Sequence, residues 1–260
     1  MGNDTPQKTG TWLAHALMSL ATPEGRAARA SSHTDFVVEQ LGRAIVAGEY
    51  PPETMIPLDP DLCEMFDVSR TVVREAKKTL IAKGLIQSKA KVGTHVRDAE
   101  SWNMFDEDVL RWHAGLRNAG AFYDELFEIR LIFEPAAAEA AAKRANAQGC
   151  DRLFELSDAL AGAASRADFA VADYEFHRQV LRLSGNRFLL SLGDMVQTAL
   201  YSLFLAEANR FFPEGAQAVA DRHRDIASAI CRGAPGEARQ AMQRVIEDGY
   251  ARVNGGSLAG

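Results

Sequence analysis

The chain has 260 residues, with 29 basic against 35 acidic side chains (net charge −6), and is 47% hydrophobic and 25% charged. That mix supports a packed core in one or two domains and excludes wholesale disorder, while the acidic balance excludes a nonspecific nucleic-acid coat. No stretch approaches the ~20 apolar residues of a membrane span, and Cys63, Cys150 and Cys231, an odd number without a C-x-x-C pair, exclude a disulfide scaffold or zinc ribbon and fit a reducing cytoplasm.

Residues 1–32 read as a mobile N-terminal extension. Their one apolar run, Trp12 to Ala21, is too short and too interrupted by His15 for a signal peptide. Pro6 stands where myristoylation wants Ser or Thr.

Residues 33–98 have the pattern of a small domain. Phe36, Val37, Leu41, Ile45 and Val46 recur at helical spacing, with Gly48 where a C-cap belongs. Tyr50-Pro51-Pro52 breaks the chain. Asp59-Pro60 then reads as an N-cap and first-turn proline for a short helix through Leu62, Cys63 and Phe66. Asp67-Val68 makes a turn, Ser69 caps a second helix carrying Val72, Val73, Ala76, Leu80 and Ile81, and Gly84 stops it. Leu85-Ile86-Gln87 and Thr94-His95-Val96 read as two strands joined through Lys89 to Gly93. Three helices and a hairpin predict a winged helix-turn-helix.

Charge points the same way. From Asp35 to Asp67 the acids are Asp35, Glu39, Glu49, Glu53, Asp59, Asp61, Glu64 and Asp67, against Arg43 alone. From Ser69 to Arg97 the bases are Arg70, Arg74, Lys77, Lys78, Lys83, Lys89, Lys91 and Arg97, against Glu75 alone. A helix laid in the major groove needs cations on itself and on its wing to neutralise phosphates. Ser69, Arg70 and Thr71 occupy the first turn, which reaches base edges. Arg74 lies one turn later, so both arginines can fork onto guanine. Ser69 and Thr71 suit phosphate contacts, and Lys89, Lys91, Gly93 and Thr94 would bring the wing to the backbone.

The residues Ile56-Pro57, Asp61-Leu62-Cys63, Phe66 through Ala76, Leu80, Lys83-Gly84-Leu85-Ile86 and Gly93-Thr94-His95-Val96 resemble the reading head of the GntR family. The resemblance covers residues 34–97 and implies DNA binding. An arginine of the family's second helix that joins the DNA contacts is replaced here by Pro60.

Residues 99–120 read as a linker and connecting helix, Trp102 through Trp112 being its marked segment. Residues 121–254 lack strand signals and predict an antiparallel helical bundle. Phe122, Leu126, Ile129, Ile132, Phe133 and Ala136 mark a helix continuing to Ala147. Leu153, Leu156 and Leu160 mark the next, followed by Phe169 to Leu183, Phe188 to Ala208, Val219 to Cys231 and Gly236 to Val253.

Polar residues sit on faces of this bundle that otherwise look buried. Asp173 and His177 share a face with Val180, His223 aligns with Ile226 and Ile230, and Arg130 precedes Glu134 by one turn. Buried charge requires a partner, a metal or a ligand. Arg130 is the candidate carboxylate clamp, because its planar fork matches a carboxylate. Its alternative, a surface pair with Glu134, is worth only ~0.3–0.5 kcal/mol.

Arg130-x-x-x-Glu134, Asp173-x-x-x-His177, Gly185-Asn186 and His223 before Ile226 and Ile230 resemble the FCD domain, the ligand-sensing module of the FadR branch of the GntR family. This likeness spans residues 105–250. It implies effector binding by Arg130, Asp173, His177 and His223, either in a metal-free pocket or with a divalent metal (Zn, Ni or Mn) on Asp173, His177 and His223; purely structural polar pairing is the third reading. Val245 stands where the fourth ligand, a histidine, is expected. The linker Trp102-Asn103, Asp106, Asp108-Val109-Leu110 and Trp112 is similar to that of D-galactonate-responsive regulators, which implies a sugar-acid effector.

The expectation is therefore a cytoplasmic, homodimeric, ligand-responsive repressor that reads a palindromic double-stranded DNA operator and is released by an organic acid such as D-galactonate. Two rivals come from other classes. One is a metal-dependent hydrolase using Asp173, His177 and His223, which lacks an evident extra base and any H-E-x-x-H, G-x-S-x-G or P-loop motif. The other is a ligand-independent DNA-tethering protein.

Overall fold

A computed structural model of the chain describes residues 33–89, 92–116, 119–206 and 215–255. The extension at 1–32 and Lys91 lie outside the described residues. The chain forms two compact units, which divide between residues 117 and 118.

In the first unit α1 (His33–Val46), α2 (Asp59–Phe66) and α3 (Arg70–Ala82) precede a hairpin of β1 (Ile86–Lys89) and β2 (Gly93–Val96). The strands are antiparallel, with Ile86 opposite Val96 and Lys89 opposite Gly93. Alternation puts Thr94 and Val96 inside. Three helices and a β-wing are the expected winged helix-turn-helix. Ser69 caps α3 as expected, its Oγ accepting from Val72 N–H at 3.4 Å. The turn between α2 and α3 depends on Asp67 adopting left-handed backbone angles, φ 51° and ψ 50°.

Two features of this unit depart from the sequence expectation. Asp59 is not the cap of α2 but its first residue, and Leu58 holds the cap position. The Asp59 carboxylate instead accepts from Lys77 Nζ at 2.7 Å, and Asp61 Oδ2 accepts from Leu58 N–H at 3.3 Å. A cross-helix ion pair displaces the local cap. The segment before α2 also joins the wing: Ile56 N–H donates to Thr94 C=O and Val96 N–H to Thr54 C=O, both at 3.0 Å. Met55 thereby bridges His95 as a third edge.

The linker supplies α4 (Glu107–Ala114), capped by Asp106 Oδ1 accepting from Asp108 and Val109 N–H. This helix packs into the winged unit. Val109 and Trp112 are buried in the same core as Val37, Leu41, Ile45, Leu62, Val73, Leu80 and Leu85. Trp112 lies against Gly42 of α1 so closely that a Cβ there would overlap its indole ring. Glu39 and Arg111 form a bidentate pair at 2.6 and 2.9 Å, Trp112 Nε1 donates to Glu39 at 2.9 Å, and Lys83 Nζ donates to Asp106 at 2.8 and 2.9 Å.

The second unit holds α5 (Gly120–Ala142), α6 (Ala147–Ala161), α7 (Arg166–Leu183), α8 (Arg187–Ala206), α9 (Ala216–Cys231) and α10 (Pro235–Gly255). Its principal packings are α5 on α10 and α7, α6 on α9 and α7, α7 on α8, and α9 on α10. The core is lined by Phe127, Phe133, Leu153, Leu160, Phe176, Val180, Ile226, Ile230 and Ile246. The first helix stops at Ala142 rather than Ala147, because Asn146 starts the next one: its Oδ1 accepts from Gly149 N–H at 2.8 Å. No described helix is long and apolar enough to cross a membrane.

The cysteines include one pairing that their spacing in the sequence does not suggest. Cys150 of α6 and Cys231, the last residue of α9, are bonded to each other across 81 residues of sequence, with Cα atoms 5.6 Å apart. Packing of α6 on α9 creates a pair that no C-x-x-C spacing announces. Cys63 remains a free thiol.

Candidate ligand site and nucleic-acid interface

The bundle brings together all four residues expected at its polar centre. Asp173 and His177 lie four residues apart on α7, Arg130 and Glu134 on α5, and His223 on α9; all five are buried. The donor atoms of Asp173, His177 and His223 lie within 4.8 Å of one another.

Hydrogen-bond partners fix what these atoms offer. His223 Nδ1 lies 2.8 Å from the Val219 carbonyl, which can only accept, so this nitrogen carries the proton. His223 Nε2 then faces Asp173 Oδ1 at 3.2 Å and His177 Nε2 at 3.3 Å. His177 Nδ1 lies 2.6 Å from Glu134 Oε2. Next to an ionised carboxylate that nitrogen holds its proton. His177 Nε2 lies 3.4 Å from Arg130 Nη2, and a guanidinium can only donate, so Nε2 presents a lone pair. Asp173 Oδ1 is 3.9 Å from the same nitrogen. A carboxylate and two imidazole Nε2 atoms, each ring oriented by an oxygen on its other nitrogen, thus converge in a buried space. This donor set fits a divalent metal of the zinc, nickel or manganese kind, and the oxygen partners on Nδ1 are the outer contacts such ligands use.

Protonated on the second nitrogen as well, the same two imidazoles join Arg130 in holding down the neighbouring acids. Burial alone would raise both acids. For Glu134 the charges of Arg130 and His177 and their hydrogen bonds outweigh it and hold the group down at about 2. For Asp173, also buried, the hydrogen bond from His223 and the charges of His177, His223 and Arg130 keep the carboxyl far below its ordinary range. Both acids are ionised.

Arg130 stands inside the site, not on the surface. Its Nε donates to Glu134 Oε1 at 2.6 Å, and its guanidinium lies 5.5 Å from the Phe127 ring. The small value for an exposed pair does not apply to it. Gln197 of α8, buried and not foreseen, donates Nε2–H to the same Glu134 oxygen at 2.9 Å. Arg252 of α10 was also not foreseen: burial lowers its pKa, and the charge of Asp173 opposes that fall. A four-residue spacing could have flagged neither of them. Val245 is buried and apolar and offers no donor atom.

On the winged unit the structure separates the basic residues into two groups. Arg70, Thr71 and Arg74 are exposed along the start of α3, and the two arginines form no ion pair among the described residues. Ser69, also exposed, is engaged as the cap. Lys77, Lys78 and Lys83 are already paired with Asp59, Glu75, and Asp106 with Asp108. Lys89 at the wing is exposed and lies 3.3 Å from Glu53. Thr94 is buried, its hydroxyl 3.4 Å from that of Ser88, so it supports the wing from inside. Gly93 has φ +119°, and a Cβ there would lie 2.6 Å from Met55 Sδ. The hairpin depends on this glycine.

Comparison with known proteins gives both units a family. A family described as "Bacterial regulatory proteins, gntR family" matches residues 33–96, and the FCD domain matches residues 125–248. The chain is 30% identical over 213 residues to the uncharacterized HTH-type transcriptional regulator YieP of Escherichia coli K12, covering 81% of this chain and 90% of that one. It is 33% identical over 172 residues to the galactonate operon transcriptional repressor of the same organism, covering 66% and 75%. Among solved structures, that of Lar, which controls expression of the Listeria monocytogenes agr system, superposes with a TM-score of 0.59 at 18% identity, over 86% of this chain and 97% of that one. That last likeness is one of fold.

Proposed function

This chain belongs to the GntR family of bacterial regulatory proteins and carries an FCD domain, and from that premise we propose that it is a cytoplasmic, homodimeric repressor released from a palindromic operator by a small carboxylate effector. It is a DNA-binding transcriptional regulator and not an enzyme. The observation that carries the proposal is the convergence of Asp173, His177 and His223 beside the Arg130 guanidinium in the bundle core.

A divalent metal held by Asp173, His177 and His223 would supply a positive centre with open positions for an effector carboxylate or hydroxyl, since Val245 adds no fourth ligand. Arg130 would orient the carboxylate from the side, with Glu134 and Gln197 fixing the guanidinium. Hydroxyl-rich acids suit a site lined by imidazole, amide and carboxylate groups. The similarity to a galactonate operon repressor favours a sugar acid. On the DNA side, Arg70 and Arg74 would read base edges, Ser69 and Thr71 would touch phosphate, and the wing would contribute Lys89 and Lys91 with Gly93 and Thr94 as its frame. Effector and operator would be linked by a coupling of about 1–3 kcal/mol.

Genomic fragments selected by the purified protein at physiological salt, with and without sugar acids, test this. The expected result is one palindrome, lost on addition of one acid. Retention of the same site in the presence of every acid would leave a tethering protein, and recovery of no discrete site would overturn the reading.

A further inference from the structure

The cysteine pair of the ligand-binding unit has no part in the proposed regulation. Three observations bear on it. Cys150 and Cys231 are bonded, and both residues are half-buried rather than enclosed. The helices they join also share an apolar interface and an ion pair. Leu153, Leu156 and Leu160 of α6 and Val219, Ala220, Ile226, Ala227 and Ile230 of α9 are buried, and Arg224 pairs with Asp158 across the same two helices. Finally, Cys231 ends the helix that carries His223, two turns beyond it.

We propose that Cys150 and Cys231 form a reversible thiol pair, a modification site for low-molecular-weight disulfides that fastens α9 to α6 when oxidised. The proposal rests on the cytoplasmic setting of the regulator reading, because disulfides in a reducing compartment are transient and redox-responsive rather than permanent. The chemistry is two exchanges. One protein thiolate attacks a sulfur of the reagent RSSR and expels RS−. The second protein thiolate attacks the resulting mixed disulfide at the protein sulfur and expels another RS−. Two protein S–H groups and RSSR become one protein S–S bond and two RSH. The protein sulfurs lose two electrons, the reagent gains them, and both protons finish on the released thiols.

Because the apolar interface survives reduction, the dithiol form stays folded and the bond can come and go. Oxidation removes freedom at the C-terminal end of α9 and so restrains the helix on which His223 meets Asp173 and His177 at 3.2 and 3.3 Å. Cys63 belongs to the other unit and takes no part.

The test equilibrates the full chain in mixtures of reduced and oxidised glutathione, followed by thiol alkylation and mass measurement, thermal unfolding, and amide exchange over residues 219–230. The expected result is conversion between dithiol and disulfide within the glutathione range. The oxidised form should melt about 5–15 °C higher, and its α9 amides should exchange about tenfold or more slowly. Cys150→Ser and, separately, Cys231→Ser should give the same melting temperature in both buffers, whereas Cys63→Ser should keep the full response. A bond that persists in fully reduced glutathione, thiols that never pair in oxidised glutathione, or exchange rates identical in the two states would each overturn the proposal. No readout uses DNA or effector, so failure of the repressor reading would show separately.

Discussion

The two units each hold an arginine locked among carboxylates beside aromatic rings, and they put it to different use. In the winged unit Arg111 is gripped bidentately by Glu39, touches Asp108 at 2.7 Å and lies 5.8 Å from the Trp112 ring. Lys83 adds a second cation between Asp106 and Asp108. These groups are one-tenth to one-third exposed, so water completes what the protein leaves. In the bundle Arg130 is gripped by Glu134 in a setting with almost no exposure. There the guanidinium contacts one carboxylate, Glu134, which also meets His177 Nδ1, while His223 Nε2 faces the second carboxylate, Asp173, at 3.2 Å. The first arrangement is a clamp that fastens the linker helix to the reading head. The second leaves ligand atoms in search of a positive partner. Burial, more than residue type, separates a structural ion-pair network from a binding site.

The most severe test of that comparison is Arg130→Ala. It strands ionised Glu134 in the core and should destabilise the protein by about 3–5 kcal/mol in urea unfolding. A loss near that of a surface pair would show that Glu134 finds solvent or a proton. Gly42→Ala forces a methyl into the Trp112 ring, and the linker helix cannot yield without giving up its core contacts, so about 1–3 kcal/mol is expected. Normal stability would mean that α4 docks less firmly than its burial implies. Arg70, unlike Lys77, Lys78 and Lys83, has not been neutralised by a described neighbour. Its change to Ala should weaken operator binding by about 1–3 kcal/mol and relax one base position in a binding-site selection. An equal loss on all sequences would make it a phosphate contact.

Arg111→Ala should cost less than Arg130→Ala, about 1–2 kcal/mol in the same unfolding measurement, because water reaches the released Glu39. Parity between the two variants would erase the distinction drawn above. The smallest effect is the pH dependence of this clamp. Burial pushes Glu39 and Asp108 up, but the hydrogen bonds and charges of Arg111, with Trp112 acting on Glu39 and Lys83 on Asp108, leave both below their ordinary values of 4.5 and 3.8. Their stabilisation is therefore complete above those unfolded-state values and drains away as pH falls through the lower folded ones. Unfolding free energy should decline from pH 6 to pH 3, with a shallower slope in Glu39→Gln. An unchanged slope would assign the acid sensitivity to other carboxylates.

Much of the fold was legible because its signals are short-ranged. Ser69 capping α3, the glycine after α1 and the two strands of the wing depend on neighbours within a few residues, and the structure bears each of them out. The cap expected at Asp59 does not form because a lysine eighteen residues away takes its carboxylate. Within the candidate site, Asp173 and His177 announced themselves by a one-turn spacing, and His223 by its alignment with Ile226 and Ile230. Gln197 sits among Leu, Val, Ala and Met on an apolar helix with no spaced partner, so nothing local marked it.

Resemblance to the FCD domain implied that Arg130, Asp173, His177 and His223 form one group. By itself the sequence pattern determined the winged head, the helical bundle, the opposed charges of the two halves of the head and the inward faces of Asp173, His177 and His223. Periodicity, caps and composition suffice for these because each acts along a single element. Tertiary structure decided which cations of the head are paired with acids, that the linker helix belongs to the head, how the two imidazole rings are oriented, and that Cys150 meets Cys231. Those outcomes depend on side chains tens of residues apart reaching within 3 or 4 Å, and only the packing of whole helices sets that distance.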